Sequence, residues 1–597
     1  MRNSLAGIVR GATANRIFGI VRGLNRRRTA GLALMAGSAV TIFVLATGCG
    51  PTVTPTLPND AVNSCALSSA TFNSWFQSGT PTLNGAVNPA DSTQFLAPNC
   101  GFYQWSENMF LWLTSPAPSS YGGGDHIFNS PAFYDVSPPD ASGNRTLIAH
   151  TPGLIHVFPL RSAQAGIHGL QLVMDASGKP IEVKPPDPKL TLTVKDITGK
   201  LVQIVHARLE NGQVVLLDKE LRVVATQHVL TPTLLGDTRL TANAGIVQKF
   251  NIDGISIFQD AALNVVDVEQ GQAGTDGVLE AQTTANGSLI YYATMVNDVY
   301  AYFRTGVSKG QITTTTPNQF PTTPSDLSQT IAFASANGKG STPFPDPKAL
   351  AIEVKSSWVV AAGLPNVSSY ITMPATIPTY DKSNPAMWKQ NGQQTVELAL
   401  VGMHVVGSTA GHPELVWATF EHTGNTPLAS YSYDSTSGTK TVAQNTSGTW
   451  LFSSNGASGT PNVQHMFSTG APTNTIQPIS PFSISPSDTL RTEPWGIYGS
   501  NDSSNTEVIS MNNNVLGMLV SGDIRGNYIM TGATWTPFGS NPGPGNLGVG
   551  TSKLSNSTME TYVQGGNCFG CHQNLTPGLP NVTTDVSHIF GVLKPLF

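Results

Sequence analysis

Glu397-Leu-Ala-Leu-Val-Gly-Met-His-Val-Val-Gly-Ser-Thr-Ala-Gly-His-Pro-Glu-Leu-Val-Trp-Ala-Thr-Phe-Glu-His422 is the stretch that decides the fold. Two runs rich in apolar and β-branched residues flank a segment of Gly, Ser, Thr and Pro, the composition of two strands joined by a turn. The pattern predicts strands over 396–406 and 414–422 around a loop from Gly407 to Pro413. Side chains alternate along a strand. Trp417, Thr419 and Glu421 should therefore share one face, and Val416, Ala418, Phe420 and His422 the other. By the same count His404 falls with Leu398 and Leu400.

The same period recurs outward from this hairpin. Leu190-Thr-Leu-Thr-Val-Lys, Leu201-Val-Gln-Ile-Val-His and Gln213-Val-Val-Leu-Leu-Asp alternate, with Asn211-Gly212 as a hairpin turn. Ala349 to Val360 reads as another strand, and 288–305 as a strand passing into a helix. Residues 101–115 carry Phe102, Trp105, Met109, Trp112 and Leu113 at helical spacing, with Pro116 and Pro118 as a stop. Stretches 432–460 and 536–555 are rich in Ser, Thr, Gly, Asn and Pro and read as exposed loops. With 59 Gly, 42 Pro and only 11% charged residues, the composition favours strands and turns. The expected class is mainly β (α+β), a large β-rich body with a short helical C-terminal segment. No internal repeat, phosphate loop, dinucleotide fingerprint, HExxH motif or nucleophile elbow occurs.

Residues 1–48 hold seven Arg and no Lys, Asp or Glu. Without them, 31 minus 7 positive residues stand against 36 negative ones, a net charge of about −12. That balance argues against a nucleic-acid partner. An acidic surface suits docking of a basic redox protein, although acidity often serves solubility alone. Arg26-Arg27-Arg28, the apolar run Ala30 to Gly48, and Ala46-Thr47-Gly48-Cys49 read as a targeting segment. This resembles the bacterial lipoprotein signal, in which the cysteine becomes the lipidated first residue. Ala46 departs from the pattern, which usually has Leu, Val or Ile there. The resemblance implies a membrane-anchored protein facing the periplasm or the cell surface, with the outer membrane favoured by Gly50. Cleavage without lipid and an uncleaved anchor are the alternatives.

The expected organisation is a signal peptide (1–48), a Pro/Thr tether (49–62), a β-rich body (63–554, with a possible division near 313–345) and a terminal segment (555–597). Five cysteines are present. Cys49 is the lipidation candidate. Cys65 and Cys100, in an oxidising compartment, are expected to form a disulfide.

The remaining two cysteines lie in Cys568-Phe-Gly-Cys571-His572. A redox dithiol needs no histidine, and a zinc site of the C-x2-C…H-x3-5-H kind needs two histidines at short spacing, whereas only His588 follows His572. C-x-x-C-H is the haem-attachment signature, and over this motif the chain resembles c-type cytochromes. The resemblance implies one haem c, with thioether bonds from Cys568 and Cys571 and His572 as proximal iron ligand. Only 25 residues follow His572, and no Met follows Met559. The haem therefore cannot sit in a complete small cytochrome domain appended at the end. The order of a β-rich body and one terminal CxxCH is similar to that of large bacterial cytochrome-like proteins, a resemblance that names an architecture and no reaction. For the sixth iron ligand the sequence offers His588 first and Met559 second.

His404, His412, Glu414, Glu421 and His422 gather around the hairpin, and His412, Glu414 and His422 are a possible metal or acid–base site, with structural hydrogen bonding as the simpler reading. Three functions are open at this level: single-electron transfer with a redox partner protein, a haem-dependent oxidoreductase acting on a substrate held by the body, and a surface binding protein with a structural or sensory haem.

Overall fold

The structure is a computed structural model. It describes residues 57–597 except 95–97, 139, 141–143, 158–170, 175–179, 185–186, 188, 211–212, 227, 230–244, 254, 267–276, 314–318, 455, 457–465, 469–474, 479–482, 496–501, 537–547, 552–555, 562–563, 565–567, 573–586 and 588. The targeting segment, Cys49 and His588 thus lie outside the described residues.

A twelve-stranded antiparallel sheet organises the described part of the chain. Its centre runs β1 (Phe133–Val136), β2 (Tyr291–Asn297), β3 (Ile352–Val360), β5 (Trp388–Thr409), β6 (His412–His422) and β7 (Tyr528–Trp535). β4 (Thr372–Asp381) pairs with the first half of β5, on the edge that β6 takes over for the second half. β5 is 22 residues long because its two halves serve different neighbours.

The hairpin expected over 396–422 is present, but its connection is tighter than a seven-residue loop. Thr409 pairs with His412 across Ala410-Gly411, and Gly411 takes φ +77°, which only glycine adopts without cost. A second correction concerns His404. Trp358 pairs with Leu400 and Ser357 with Gly402, so Val401 is an extra residue in β5. This β-bulge inverts the alternation. Leu398 and Leu400 face one side, while His404 faces the other with Val406.

Three helices cover the first side. α1 (Ser69–Trp75) precedes α2 (Cys100–Leu113), which buries eleven of its residues and therefore has no solvent face. It ends at the Thr114 cap, just before Pro116. Phe110 of α2 stacks on Phe420 of β6 at 4.2 Å. α5 (Asp502–Met518) lies beside α2, and Asn512 of α5 bonds both the N–H and the C=O of Met530 in β7. Cys65 and Cys100 are joined by a disulfide, with Cα atoms 5.2 Å apart.

The second side receives α3 (Asp298–Ser308) and α4 (Pro324–Ala334). Asn297 and Thr323 cap their N-termini through side-chain oxygens, and Pro324 opens α4, where its missing N–H costs nothing. Tyr300, Phe303 and Phe333 pack with Val296, Val406 and Trp417 of the sheet.

Apart from this core, Gln171–Met174, Pro180–Lys184, His228–Val229, Gly245–Ile252, Ile255–Gln259 and Val265–Val266 form a six-stranded mixed sheet. Of the expected strands 201–206 and 213–218, the second is present as Gln213–Leu217, but its partner is His206–Glu210, and Leu201–Gln203 pairs instead with Thr193–Lys195. The stretch 432–460 is not loop throughout. Tyr431–Ser435 and Gly438–Val442 form a hairpin, and Trp450, Leu451 and Phe452 are buried. Small polar residues there read as loop because the strand is short and one of its faces is solvated.

Candidate functional site

The second side of the central sheet carries polar and ionisable residues in register. One transverse row is Thr294, Lys355, His404 and Thr419. The next is Val296, Glu353, Val406, Trp417 and Thr534. On the other flank lie Tyr292, Ser357, Gly402 and Glu421. Strand alternation assembles these residues, which come from segments more than 200 positions apart.

The C-terminal segment lies across these rows. Asn556 donates to Thr419 Oγ1 at 2.9 Å, and the Ser557 N–H donates to Glu421 Oε1 at 2.6 Å. Thr558 Oγ1 meets Ser357 Oγ at 2.7 Å, and Tyr292 donates to the Thr558 carbonyl at 2.6 Å. Glu560 reaches His404 Nε2 at 2.8 Å. Further on, Ser587 donates to Glu353 at 2.6 Å and contacts Tyr300 at 2.7 Å. Gly402 permits this approach. A Cβ there would stand 2.7 Å from both Ser357 Oγ and Thr558 Oγ1.

Charge in this layer is handled by pairing. Glu421 is fully buried and accepts from Arg491 Nη2 at 2.9 Å, from Asn425 and from Ser557. Burial pushes Glu353 up to about 7, against which Ser587 and the positive field of Arg145 pull down. Burial also lowers Lys355, with Glu560 opposing the shift.

Residues Cys568–Cys571 form a helical turn, α6, and the His572 N–H donates to the Cys568 carbonyl at 2.8 Å. Phe569 is buried among Trp417, Phe303 and Phe590, with Cys568 at the margin of that cluster. The His572 ring packs on Trp417 with ring centroids 4.0 Å apart. The motif is thus seated on the row that holds Glu353, next to the row that holds His404. Cys568 at the edge of this apolar cluster and His572 against Trp417 are groups here able to hold a prosthetic group. Among the described residues no cluster of three or more His, Cys, Asp and Glu is arranged to hold a free metal ion.

Met559 is fully buried within the turn 556–560. His588 is outside the described residues, between Ser587 and the buried Ile589. The hairpin histidines do not converge. His412 bonds Glu414 at 2.8 Å beside Trp535, and that carboxylate raises its pKa. His422 stacks on Tyr370 at 3.7 Å, and burial lowers it to about 3. His404 alone of the three faces the C-terminal segment. Sequence reasoning passed over Glu353, Lys355, Arg491 and Glu560. Only the alternation of Trp417, Thr419 and Glu421 signalled the face they share.

No helix among the described residues is long and apolar enough to cross a membrane. No protein-family model, no curated protein and no solved structure matches this chain.

Proposed function

We propose that this chain is an exported c-type haem protein that carries single electrons on one haem c, anchored through Cys49 and exchanging electrons with a partner protein. The observation that carries the reading is the Cys568–Cys571 turn running into His572, whose ring lies on Trp417 inside an apolar cluster. Residues three and four apart share one face of a helical turn. A C-x-x-C-H on such a turn presents two thiols for the vinyl groups and an imidazole for the iron. The apolar neighbours Phe569, Trp417 and Phe590 suit a flat macrocycle, since apolar burial around a haem keeps water from the iron. When bound, the haem supplies a one-electron couple between ferric and ferrous iron. The chain's own part is to hold the motif against the sheet. The disulfide between Cys65 and Cys100 fits the oxidising compartment in which covalent haem attachment takes place.

A second reading, a haem-dependent oxidoreductase, is favoured by Glu353, Lys355, His404 and Glu560. Burial shifts Glu353 up and Lys355 down on the same face of the sheet as the motif, and perturbed titration is common where protons are moved.

The test is covalent haem itself. Cys568→Ala combined with Cys571→Ala should abolish the pyridine haemochrome stain of the denatured chain. Persistence of that stain in the double variant sinks the proposal. Peroxide or cyanide reactivity of the wild-type haem separates the second reading from the first.

A further inference from the structure

We infer that the outer face of the small strands over 193–226 is a docking surface for an anionic lipid bilayer, with its aliphatic side chains entering the bilayer and the lysines around them meeting the headgroups. This goes beyond the haem reading and does not depend on it. Strand register assembles the face. Lys195 pairs with Leu201, and Asp196 bridges Thr226, so Ala225 and Val223 fall on the side of Lys195 and Leu201. Ile197 follows in the turn, where its N–H donates to the Ala225 carbonyl at 3.0 Å. Leu192, Val194, Ile204 and Leu216 are buried together on the opposite face. Both faces are therefore apolar, whereas an antiparallel sheet with one solvated side is normally polar there. Ile197 is 74% exposed, Leu221 63% and Val223 62%, and Leu190, Leu201 and Val205 are exposed as well. Six of the eleven exposed large hydrophobics among the described residues thus lie between 190 and 223, a cluster and not a scatter.

The turns at the ends of these strands keep a leucine outside at the expense of backbone strain. Asp196, Asp218 and Asp260 open three turns of one design, in which Oδ1 accepts the N–H groups two and four residues on. The fourth residue of each turn is left-handed, Gly199 at φ +84°, Leu221 at +61° and Leu263 at +67°. Glycine adopts this conformation freely, and a leucine there is an outlier. Leu221 is strained and exposed at once, although Gly199 shows that the turn accepts glycine. Strain kept where packing does not require it points to function.

Charge and residue type identify the occupant. In residues 184–226 seven Lys and Arg stand against five Asp and Glu, a net of +2 in a chain of −5. Asp196 and Asp218 bind their own turn N–H groups, and Asp218 also holds Arg222 at 2.6 Å. Lys189, Lys195 and Lys200 are exposed and make no ion pair among the described residues. Lys189 precedes Leu190, and Lys200 precedes Leu201. The same stretch holds no Phe, Trp, Tyr or Met, residues on which protein interfaces are centred. A second copy of the chain on this face would set lysine against lysine across a two-fold axis. Hydrocarbon needs no matching pocket, and each lysine near an anionic surface strengthens binding about fivefold.

Hydrogen exchange of the full chain, with and without vesicles, tests the surface. Vesicles of phosphatidylethanolamine and phosphatidylglycerol should slow exchange across 193–205 and 217–226 on the order of tenfold, once lipid is in about tenfold excess over its dissociation constant. Vesicles of phosphatidylcholine alone should slow it far less. The readout is local, so attachment of lipid at Cys49 without contact by this face leaves these amides unchanged. Ile197→Thr with Leu201→Thr and Val223→Thr should abolish the slowing. Lys189→Gln with Lys195→Gln and Lys200→Gln should bring the anionic vesicles down to the level of phosphatidylcholine. Leu221→Gly should slow exchange of the 218–222 turn in free solution, by relief of strain, and yet weaken the slowing by vesicles. Absence of slowing on both vesicles, or equal slowing in the threonine variant and the wild type, overturns the proposal. Should the threonine variant lose its strands, equal slowing in Leu221→Gly and the wild type overturns it instead. Slowing that needs no vesicles and grows with protein concentration also overturns it, in favour of contact between copies of the chain.

Discussion

Among the described residues Glu107 of α2 has no charge partner to offset its burial. It is 4% exposed, its Oε1 meets no hydrogen-bond partner, and desolvation alone pushes its pKa up to about 8. At acid pH the group is protonated in both folded and unfolded chains and costs nothing. As pH rises past the usual value of 4.5, the unfolded chain releases its proton while the folded chain holds it until about pH 8. Stability therefore falls across that window, by about 2–4 kcal/mol. Glu107→Gln should remove this slope, so that the variant gains on the wild type between pH 5 and pH 8.5. Urea midpoints at the two pH values check it, and an equal difference at both would refute it. Nothing in the sequence distinguished Glu107 from a solvated helix residue, because the aromatic stripe marked one face of α2 as core and the packing buried them all. Val401 is the reverse case at the same scale. The residue is ordinary, yet its bulge decides which side His404 takes. Bulges depend on the partner strand, and β3 lies outside any local window around β5.

Among the elements, the hairpin, the strand-to-helix passage at 291–308 and the helix over 100–113 were legible because each states its period within one short run. The docking of the C-terminal segment was not. Its contacts with β6 and α3 include pairs 136 and 287 positions apart, and most of the segment's own side chains in them are Asn, Ser and Thr, which carry no periodic signal. The stability of that docking hangs on Gly402. A methyl group there would press on Ser357, Thr558 and Asn556, the last at 3.0 Å. Overpacking of this kind costs about 1–3 kcal/mol. Gly402→Ala should release the segment more than it unfolds the sheet. Hydrogen exchange should rise across 556–572 and 587–597 while β2, β3 and β6 stay protected. A uniform rise across the sheet would mean that segment and sheet open as one unit, and that Gly402 does not govern docking alone.

At the scale of the whole molecule, the two ends of the described chain lie on opposite sides of one sheet. The C-terminal segment covers the polar side. On the helical side the N-terminal stretch is fastened to α5. Ser510 donates to Asn63 Oδ1, Asn514 donates to the Cys65 carbonyl, and Asn513 donates to the Pro58 carbonyl. The Cys65–Cys100 disulfide ties this stretch to α2, across a separation of 35 residues. Hydrogen bonds between residues some 450 positions apart carry a large loop-closure entropy, and the disulfide acts separately from it, by closing its own loop in the unfolded chain. For a loop of this length the link contributes about 3–4 kcal/mol on the chain-entropy account. Cys65→Ser with Cys100→Ser should lower global stability by about that amount and should loosen the helical side first. Protection of amides in 57–75 and in α5 should fall before that of the C-terminal segment, because Cys65 and Cys100 pack in the core of the helical side. If the proposed haem is attached, the same ordering predicts that it survives in this double variant when the protein is exported. Loss of haem without loss of fold would mean that the two sides of the sheet are coupled, and that the N-terminal clasp helps to seat the C-x-x-C-H turn.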